Sequence, residues 1–170
     1  MTRIFRYDCL DGTSAEARRR LREGALAPFA VVAEQQTQGR GRQGRAWVSR
    51  RGVGLYLTVT RSLDRVPQPV TLAPLAVGCG TADWLRALGV PVQLKWPNDL
   101  RVDGAKVGGV LCEVVDDVLL VGVGVNWCEA PELAEQRTAS VHQYVEQPSA
   151  LAVAQDALLR SVDGALDWWV

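Results

Sequence analysis

Short runs in which hydrophobic and polar residues alternate make up most of the chain, and this pattern predicts more strands than helices. Strands are predicted over residues 3–10, 29–34, 54–60, 90–94, 100–102, 106–115 and 118–126. The turns Asp103-Gly104 and Asp116-Asp117 join the last three strands as hairpins. Strands linked in this way run antiparallel, so most of the sheet is expected to be antiparallel.

Helices are predicted in three places. Residues 13–16 have the spacing of a capping box and open an arginine-rich helix that ends at Gly24. Residues 70–88 are apolar or small, with Pro74 in the first turn and Gly89 just past the end. A third helix, capped by Ser149, has apolar residues at helical spacing: Leu151, Ala154, Leu158, Val162 and Leu166. The elements together predict an α+β fold, a mixed and mostly antiparallel sheet with helices on one side.

The composition indicates one globular domain. The chain has 170 residues, 48% of them apolar, and this length and apolar content are sufficient for a hydrophobic core. Its formal net charge is zero. Zero net charge disfavours bulk nucleic-acid binding, because domains with that function are usually basic. No apolar run approaches the ~20 residues that span a bilayer, and no signal peptide opens the chain. A cytoplasmic location without membrane contact is therefore expected.

Cysteine and histidine chemistry is not indicated. Cys9, Cys79, Cys112 and Cys128 are scattered without a Cys-x-x-Cys pair, so neither a zinc site nor a disulfide framework is expected. His142 is the single histidine, and nothing around it suggests a Ser-His-Asp triad. It is interpreted as a surface residue.

The strongest local signal is an arginine- and glycine-rich stretch over residues 34–47. Glycine permits close backbone approach to a ligand, and arginine offers donors that suit phosphate or carboxylate. The clustered cations repel one another, so we expect a mobile lid that closes over an anionic ligand. A solvated surface loop or an RNA-binding segment remains the alternative. The stretch alternates Gly39, Gly41 and Gly44 with Arg40, Arg42 and Arg45.

Two strands contain glycine where a ligand could lie. In residues 121–126, Gly122, Gly124 and Asn126 share one face of the strand. Lys106 and Lys95 are the only two lysines of the chain, and Lys106 is expected to share a face with Gly108. Glycine weakens a strand and often marks close approach of a ligand, although a bulge or a tight sheet crossing has the same signature. A flat ligand floor is the preferred interpretation.

Four motifs in register resemble the catalytic domain of the biotin protein ligases, also called biotin–[acetyl-CoA-carboxylase] ligases. They are GRGRQGRAW at 39–47, KWPND at 95–99, KVGGVL at 106–111 and GVGVN at 122–126. The resemblance implies the fold of biotin and lipoate ligases, which is related to class II aminoacyl-tRNA synthetases. It also implies a single catalytic domain over residues 1–170, without an N-terminal helix-turn-helix domain or a C-terminal SH3-like domain.

The resemblance implies a two-step reaction. Biotin and MgATP form biotinyl-5′-AMP, and the biotinyl group then passes to a lysine of a biotin carboxyl carrier protein of acetyl-CoA carboxylase or a related carboxylase. Adenylation needs no general base, because the attacking carboxylate is already ionised at neutral pH. It needs positive charge that offsets the repulsion between a carboxylate and a phosphate. The expected ligands are ATP, Mg²⁺ and biotin, without DNA, and the resemblance allows a homodimer through the sheet without establishing it.

The matching positions divide by role. The family's Ser-Thr-Asn biotin segment is replaced here by Gly12, Thr13 and Ser14. For Thr13 and Ser14, helix capping and ligand contact both stay open. The biotin site is expected to comprise Gly12, Thr13, Ser14, Gln36, Arg40, Gly41, Arg42, Lys106, Gly108, Gly109 and Gly122. The nucleotide site is expected to comprise Arg42, Arg45, Trp47, Lys95, Asn98 and Asn126. The catalytic candidates are Lys106, Arg42, Arg40 and Asp99, the last to receive or orient a proton in the second step.

Two rival functions share the expected fold. One is a lipoate or octanoate ligase or transferase, which the pairing of GRGRQGRAW with KWPND disfavours. The other is a degenerate module that binds biotin or nucleotide without turnover. The glycine at position 12, where the family has serine, suggests this alternative.

Overall fold

The computed structural model describes residues 2–66 and 68–169. Within these ranges the chain forms seven strands and three α helices. The strands are β1 (Arg3–Tyr7), β2 (Phe29–Ala33), β3 (Gly54–Ser62), β4 (Gln93–Lys95), β5 (Asp99–Val102), β6 (Ala105–Val115) and β7 (Val118–Asn126). The helices are α1 (Thr13–Arg22), α2 (Ala73–Ala87) and α3 (Leu151–Trp168).

All seven strands form one sheet in the order β1-β2-β3-β7-β6-β5-β4. Strands β1 and β2 pair in parallel, and every other neighbouring pair is antiparallel. The prediction of a mixed, mostly antiparallel sheet is confirmed. Strand β7 lies at the centre and pairs along its whole length with β3, which places its glycines in the middle of the sheet.

The two faces of the sheet carry different helices. The odd-numbered residues of β7, such as Val121 and Val123, belong to the large core that α2 and α3 cover. Leu120 points to the other face and packs in a smaller cluster with Ala17 of α1. The predicted one-sided arrangement therefore holds for α2 and α3 only. Helix α1 lies on the opposite face, where it covers just one end and leaves the even-numbered glycines of β7 accessible.

The predicted capping box at the start of α1 is wrong. The N-cap is Gly12, which makes no side-chain cap bond. Glu16 instead accepts hydrogen bonds from Tyr7 and Arg19, so its carboxylate joins α1 to β1 and to the next turn of the helix. The hydroxyl of Thr13 is likewise not used as a cap and is directed toward the sheet.

Element boundaries differ from the predictions by a few residues. Helix α3 begins after Ala150, and Ser149 makes no cap bond, so that prediction is also wrong. Residues Val70–Leu72 form a 3₁₀ turn before α2, and β4 begins at Gln93. Strand β1 ends at Tyr7 rather than at residue 10, and the other predicted segments match the observed elements more closely.

The structure also shows the surroundings of the cysteines and of the single histidine. The four cysteines are unpaired, and burial raises the pKa of the Cys112 thiol to about 12. His142 is exposed and lies edge-on against the buried ring of Trp127. Within the described ranges, no helix combines the length and the apolar character that crossing a bilayer requires.

Candidate active site

A cavity of about 980 Å³ opens on the face of the sheet that α1 covers only in part. Its floor is formed by β6 and β7, and one end is closed by the start of α1. The arginine- and glycine-rich loop and the turn that precedes β5 form two further sides. Residues 131–138, which follow β7 in the chain, complete the wall.

Nearly all of the predicted site residues line this single cavity, although they are spread along most of the chain. They are Gly12, Thr13, Ser14, Gln36, Arg40, Gly41, Arg42, Arg45, Trp47, Lys95, Asn98, Asp99, Lys106, Gly109, Gly122 and Asn126. Gly108 is the exception.

A β-bulge explains why Gly108 lies outside the cavity. The pairing of β5 with β6 shifts by one residue, so that Leu100 pairs with Gly108 but Arg101 pairs with Lys106. A β-carbon on Gly108 would meet the Leu100 side chain at 3.1 Å, on the core face. A β-carbon on Gly109 would lie 3.6 Å from Lys106 Nζ. The prediction for Gly108 is therefore wrong, and Gly109 is the open position beside the lysine.

Neutral polar groups are concentrated at the α1 end of the cavity. Gln36 Oε1 accepts hydrogen bonds from the backbone N–H of Thr13 at 2.9 Å and from its hydroxyl at 3.2 Å. Gln36 Nε2 donates to Ser49 at 2.9 Å. The hydroxyl of Thr58, fully buried on β3, lies 2.9 Å from that of Thr13 and 3.1 Å from that of Ser14. This end of the cavity can thus recognise an uncharged group that has both donors and acceptors.

Asp11 fixes the backbone at this end. Its carboxylate accepts two hydrogen bonds from Arg19, at 2.7 and 2.8 Å, and one from the Gly12 N–H at 2.8 Å. The bonds from Arg19 are the main cause that lowers the pKa of Asp11 to about 2. The carboxylate therefore stays ionised at neutral pH, and it holds Gly12 at the entrance of α1.

The glycines of β7 make room for an aromatic ring. A β-carbon on Gly124 would lie 2.5 Å from the indole of Trp47, so the ring can pack there only because the side chain is missing. The indole N–H of Trp47 is buried and has no hydrogen-bond partner among the described residues. The next accessible position, Gly122, faces Ser14 and Thr58, where a β-carbon would lie 3.2 Å from the Ser14 hydroxyl.

Three charged side chains meet on the floor between β5 and β6. Lys106 Nζ lies 2.7 Å from one oxygen of Asp99, and Arg101 Nη2 lies 2.9 Å from the other. Burial raises the pKa of Asp99, but the hydrogen bonds and charges of Lys106 and Arg101 outweigh it and lower the pKa overall. The ammonium also lies 5.4 Å from the centre of the Trp47 ring, within cation–π range. The cluster has two cations and one anion and is the positive centre of the cavity.

The arginine- and glycine-rich loop has an ordered base and an exposed tip. The Trp47 N–H donates to the Gly39 carbonyl at 2.8 Å, and the Gly41 N–H donates to the Arg45 carbonyl at 2.8 Å. The side chain of Arg42 reaches Asn98 across the mouth of the cavity, at 3.4 Å. No carboxylate of a described residue lies within ion-pair distance of the loop's three arginines at positions 40, 42 and 45. Closure of the loop on a ligand stays a prediction.

We expect Gly39→Ala to loosen the base of this loop, because the added β-carbon would lie 2.5 Å from the carbonyl oxygen of Trp47. Backbone has to move to relieve that contact, and the Trp47 ring moves with it. Limited trypsin digestion should then cleave the loop several-fold faster than in the unaltered protein. Gly41→Ala is the matched control, since its β-carbon would be 3.6 Å from the nearest atom. Equal cleavage of the two variants would contradict the expectation.

Asn126 lines the cavity, and its side chain also makes hydrogen bonds that connect neighbouring segments of the backbone. Its side-chain amide donates to the carbonyls of Ala139, at 3.1 Å, and of Lys106, at 3.3 Å. It thereby joins β6, β7 and the residues that follow the cavity wall. Lys95, by contrast, is exposed and lines the mouth.

Three residues in or behind the cavity wall were not predicted from sequence: Arg101 and Gln136 line the cavity, and the buried Thr58 lies behind Thr13 and Ser14. Thr58 could have been found, because β3 has polar side chains at the alternate positions 56, 58 and 60. Arg101 also could have been found, since it alternates with Asp99 on a short strand. Gln136 carries no sequence signal that we can identify. Its side-chain N–H₂, like Trp47 Nε1 and Arg101 Nε, is buried in the cavity wall without a described partner.

A family model described as the biotin/lipoate A/B protein ligase family matches residues 13–127. The chain belongs to this family. A biotin–[acetyl-CoA-carboxylase] ligase of Mycobacterium tuberculosis is 34% identical over 164 residues, covering 92% of the chain and 61% of that relative. A bifunctional ligase/repressor BirA of Bacillus subtilis is 30% identical over 170 residues, covering 92% and 51%. The chain thus spans between half and two thirds of these ligases, and the expected lack of DNA binding stays a prediction.

Solved biotin protein ligases share the fold. The enzyme of Leishmania major in complex with biotinyl-5-AMP superposes with a TM-score of 0.85 at 26% identity, covering 97% of the chain and 73% of that structure. The enzyme of Aquifex aeolicus in complex with biotin and ATP gives 0.82 at 30% identity, covering 98% and 71%. An archaeal lipoate protein ligase shares the fold alone, with 0.65 at 13% identity. The predicted ligase fold and the resemblance on which it was based are confirmed.

Proposed function

We propose that this protein activates biotin with ATP to biotinyl-5′-AMP and transfers the biotinyl group to a lysine of a biotin carboxyl carrier protein. The observation that carries the proposal is the polarity of the cavity: neutral hydrogen-bonding groups at one end and a cationic centre with Lys106 at the other. A floor of bare backbone at Gly122 and Gly109 connects the two. Biotin has the same polarity, with a neutral ureido ring and an anionic carboxylate. The family and the ligases that it includes support the same assignment.

The ureido ring belongs at the α1 end. Its carbonyl accepts hydrogen bonds and its two N–H groups donate them, which requires partners of both kinds. Gln36 and the hydroxyls of Thr13 and Ser14 supply donors and acceptors within one small region. These groups carry no charge, so they suit the ring and leave the carboxylate to the cationic end.

The first step unites two anions. A carboxylate oxygen of biotin attacks the α-phosphorus of ATP, a new O–P bond forms, and pyrophosphate leaves with the electrons of the broken P–O bond. Two unit charges 4 Å apart repel by about 4 kcal/mol at an effective dielectric of 20. Lys106 lies where it can neutralise both groups, and the exposed arginines of the loop, Arg40 and Arg42, can add charge when they turn inward.

The nucleotide belongs at the mouth, where Lys95, Asn98, Arg45 and Trp47 surround the cationic centre. Mg²⁺ would arrive with ATP, since the described residues contain no cluster of three or more His, Cys, Asp or Glu side chains that forms a cage. Such an ion is commonly held by phosphates and one or two carboxylates. Both oxygens of Asp99, the carboxylate of the cationic centre, are already paired with Lys106 and Arg101. The ATP phosphates would therefore hold the ion, which would neutralise phosphate charge.

In the second step the neutral amine of the acceptor lysine attacks the carbonyl of the mixed anhydride. The C–N bond forms, AMP leaves, and the amine loses a proton. Asp99 is a weak base for that proton, because its pKa is lowered and both oxygens already accept hydrogen bonds. We therefore assign it to the positioning of Lys106.

The test is to incubate the protein with labelled biotin, MgATP and a biotin carrier domain, and to follow label on the carrier and biotin-dependent pyrophosphate exchange. Exchange together with carrier labelling is the expected result. Binding of biotin without exchange would replace the proposal with a binding module, and labelling by lipoate or octanoate in preference to biotin would replace the substrate. Absence of binding and exchange would overturn the assignment.

We expect Gly12→Ser to tighten biotin binding. The backbone of Gly12 is extended, with φ of −172°, and a β-carbon there would meet its neighbours at 3.7 Å or more, so a serine fits. One added neutral hydrogen bond is worth about 0.5–1.5 kcal/mol, or roughly 2- to 13-fold in the dissociation constant. Isothermal titration of both proteins with biotin measures the change. Gly12→Ala is the control without a hydroxyl, and equal affinities of the serine and alanine variants would contradict a hydrogen bond from position 12.

A further inference from the structure

Arg101 is a partly buried cation beside the proposed catalytic lysine. It is on β5, pairs across the sheet with Lys106, and only 19% of its side chain is exposed. One guanidinium nitrogen donates to Asp99 at 2.9 Å and another donates to the Gly104 carbonyl at 2.8 Å. Asp99 and Arg101 share a face of β5 by alternation, and the bulge in β6 puts Lys106 on the same face. The arrangement depends on the register shift as well as on the sequence.

The charge balance of this cluster determines whether Lys106 is available to a ligand. Asp99 has one oxygen on Lys106, at 2.7 Å, and the other on Arg101, at 2.9 Å. With both cations present the cluster has one net positive charge, and Asp99 keeps a partner when Lys106 turns to an anion. Without Arg101 the cluster would be a neutral Lys106–Asp99 pair, and binding of an anion would leave a partly buried carboxylate unpaired. That is costly in a site of low dielectric.

We propose that Arg101 is a positioning residue that neutralises Asp99 and so frees Lys106 to bind the carboxylate of the substrate. The inference deepens the proposed function and rests on it. It concerns the anionic end of the ligand only, because the neutral groups that surround Thr13 and Gln36 have no bond to this cluster.

The experiment is a double-mutant cycle on ligand affinity. Titration calorimetry with biotin is run on the unaltered protein, Arg101→Gln, Asp99→Asn and the double variant. Arg101→Gln alone is expected to weaken biotin binding about 10-fold or more, the size of one lost charge-assisted interaction. In the Asp99→Asn background the same change is expected to cost about 3-fold or less, because no carboxylate is left to compete for Lys106. Equal losses in both backgrounds would mean direct contact with the ligand and would overturn the inference.

Two further measurements separate positioning from folding. Biotin methyl ester keeps the ring but has no carboxylate, so Arg101→Gln should bind it as the unaltered protein does; a matching loss for the ester would overturn the inference. Arg101→Lys keeps the charge beside Asp99. Because most of the charged interaction is retained, its biotin affinity should stay within about 3-fold of that of the unaltered protein. A 10-fold loss in that variant would contradict a role based on charge.

The result also distinguishes this inference from the proposed function. If the unaltered protein binds biotin and Arg101→Gln binds it equally well, the inference fails and the proposed function stands. If the unaltered protein does not bind biotin, both fail.

Discussion

Lys106→Ala is expected to abolish biotin-dependent pyrophosphate exchange, with a loss of at least about 100-fold, the size seen when one preorganised donor to a developing charge is removed. The ammonium is the cation best placed to meet carboxylate and phosphate together, since Arg40, Arg42 and Arg45 lie on an exposed loop. Its removal leaves Asp99 and Arg101 as a neutral pair. The cavity then has no net charge at its centre with which to offset the repulsion of two anions.

The fold should survive this substitution. The backbone of Lys106 donates to the Arg137 carbonyl at 2.8 Å and accepts from the Ala139 N–H at 2.9 Å, and alanine keeps both bonds. Circular dichroism and thermal unfolding check this point. Arg160→Ala is the matched control, because it removes one exposed positive charge from α3, away from the cavity. Exchange within a few-fold of the unaltered protein in Lys106→Ala would exclude the lysine from the first step.

Much of this site could be predicted, because its chemistry depends on residues that recur at regular intervals along the sequence. Glycines at alternate positions of a strand share a face, so the accessible floor at Gly122 and Gly124 follows from a period of two. The arginine loop is equally local, because alternating glycine and arginine are incompatible with a packed core. The lysine at position 106 is one of only two in a chain rich in arginine, and it lies at the cationic centre of the cavity.

The errors arise where a contact distant in sequence decides the local structure. Period-two alternation placed Gly108 beside Lys106, but pairing with β5 introduces a bulge and puts Gly109 there instead. The capping box failed for a similar reason. Its glutamate has a better partner in Tyr7, which the sheet brings close. Neither the register shift nor the strand neighbour is visible in a local window of sequence.

The division of helices between the two faces was also beyond local patterns. Helix α1 is short and rich in arginine, with few apolar residues to show which face it covers. Its position on the cavity side is determined by the small cluster around Ala17 and Phe29. That placement has a functional consequence, because it brings Thr13 and Ser14 to Thr58 and creates the neutral end of the site.

Gly122→Val is expected to abolish biotin binding while it preserves the fold. A β-carbon at this position would lie 3.2 Å from the Ser14 hydroxyl and 3.6 Å from that of Thr58, and two methyl groups would extend into the cavity between them. The ring of biotin cannot share that volume. Overpacking costs about 1–3 kcal/mol, and the lost hydrogen bonds add to this cost, so we expect biotin affinity to fall at least about 100-fold. Valine is favoured in strands, which offsets strain on the sheet.

Calorimetry with biotin and thermal unfolding measure the two effects separately. Gly122→Ala should fall between the unaltered protein and the valine variant, because its single carbon reaches the Ser14 hydroxyl without filling the cavity. Gly164→Ala is the control, since that exposed glycine of α3 has open space around it and the change should leave biotin affinity unaltered. A change in the unfolding temperature of no more than about 4 °C corresponds to roughly 1 kcal/mol in a chain of this size. Undiminished biotin binding by Gly122→Val would remove the floor of β7 from the biotin site, since a ligand that lies on bare backbone cannot tolerate an isopropyl group in its place.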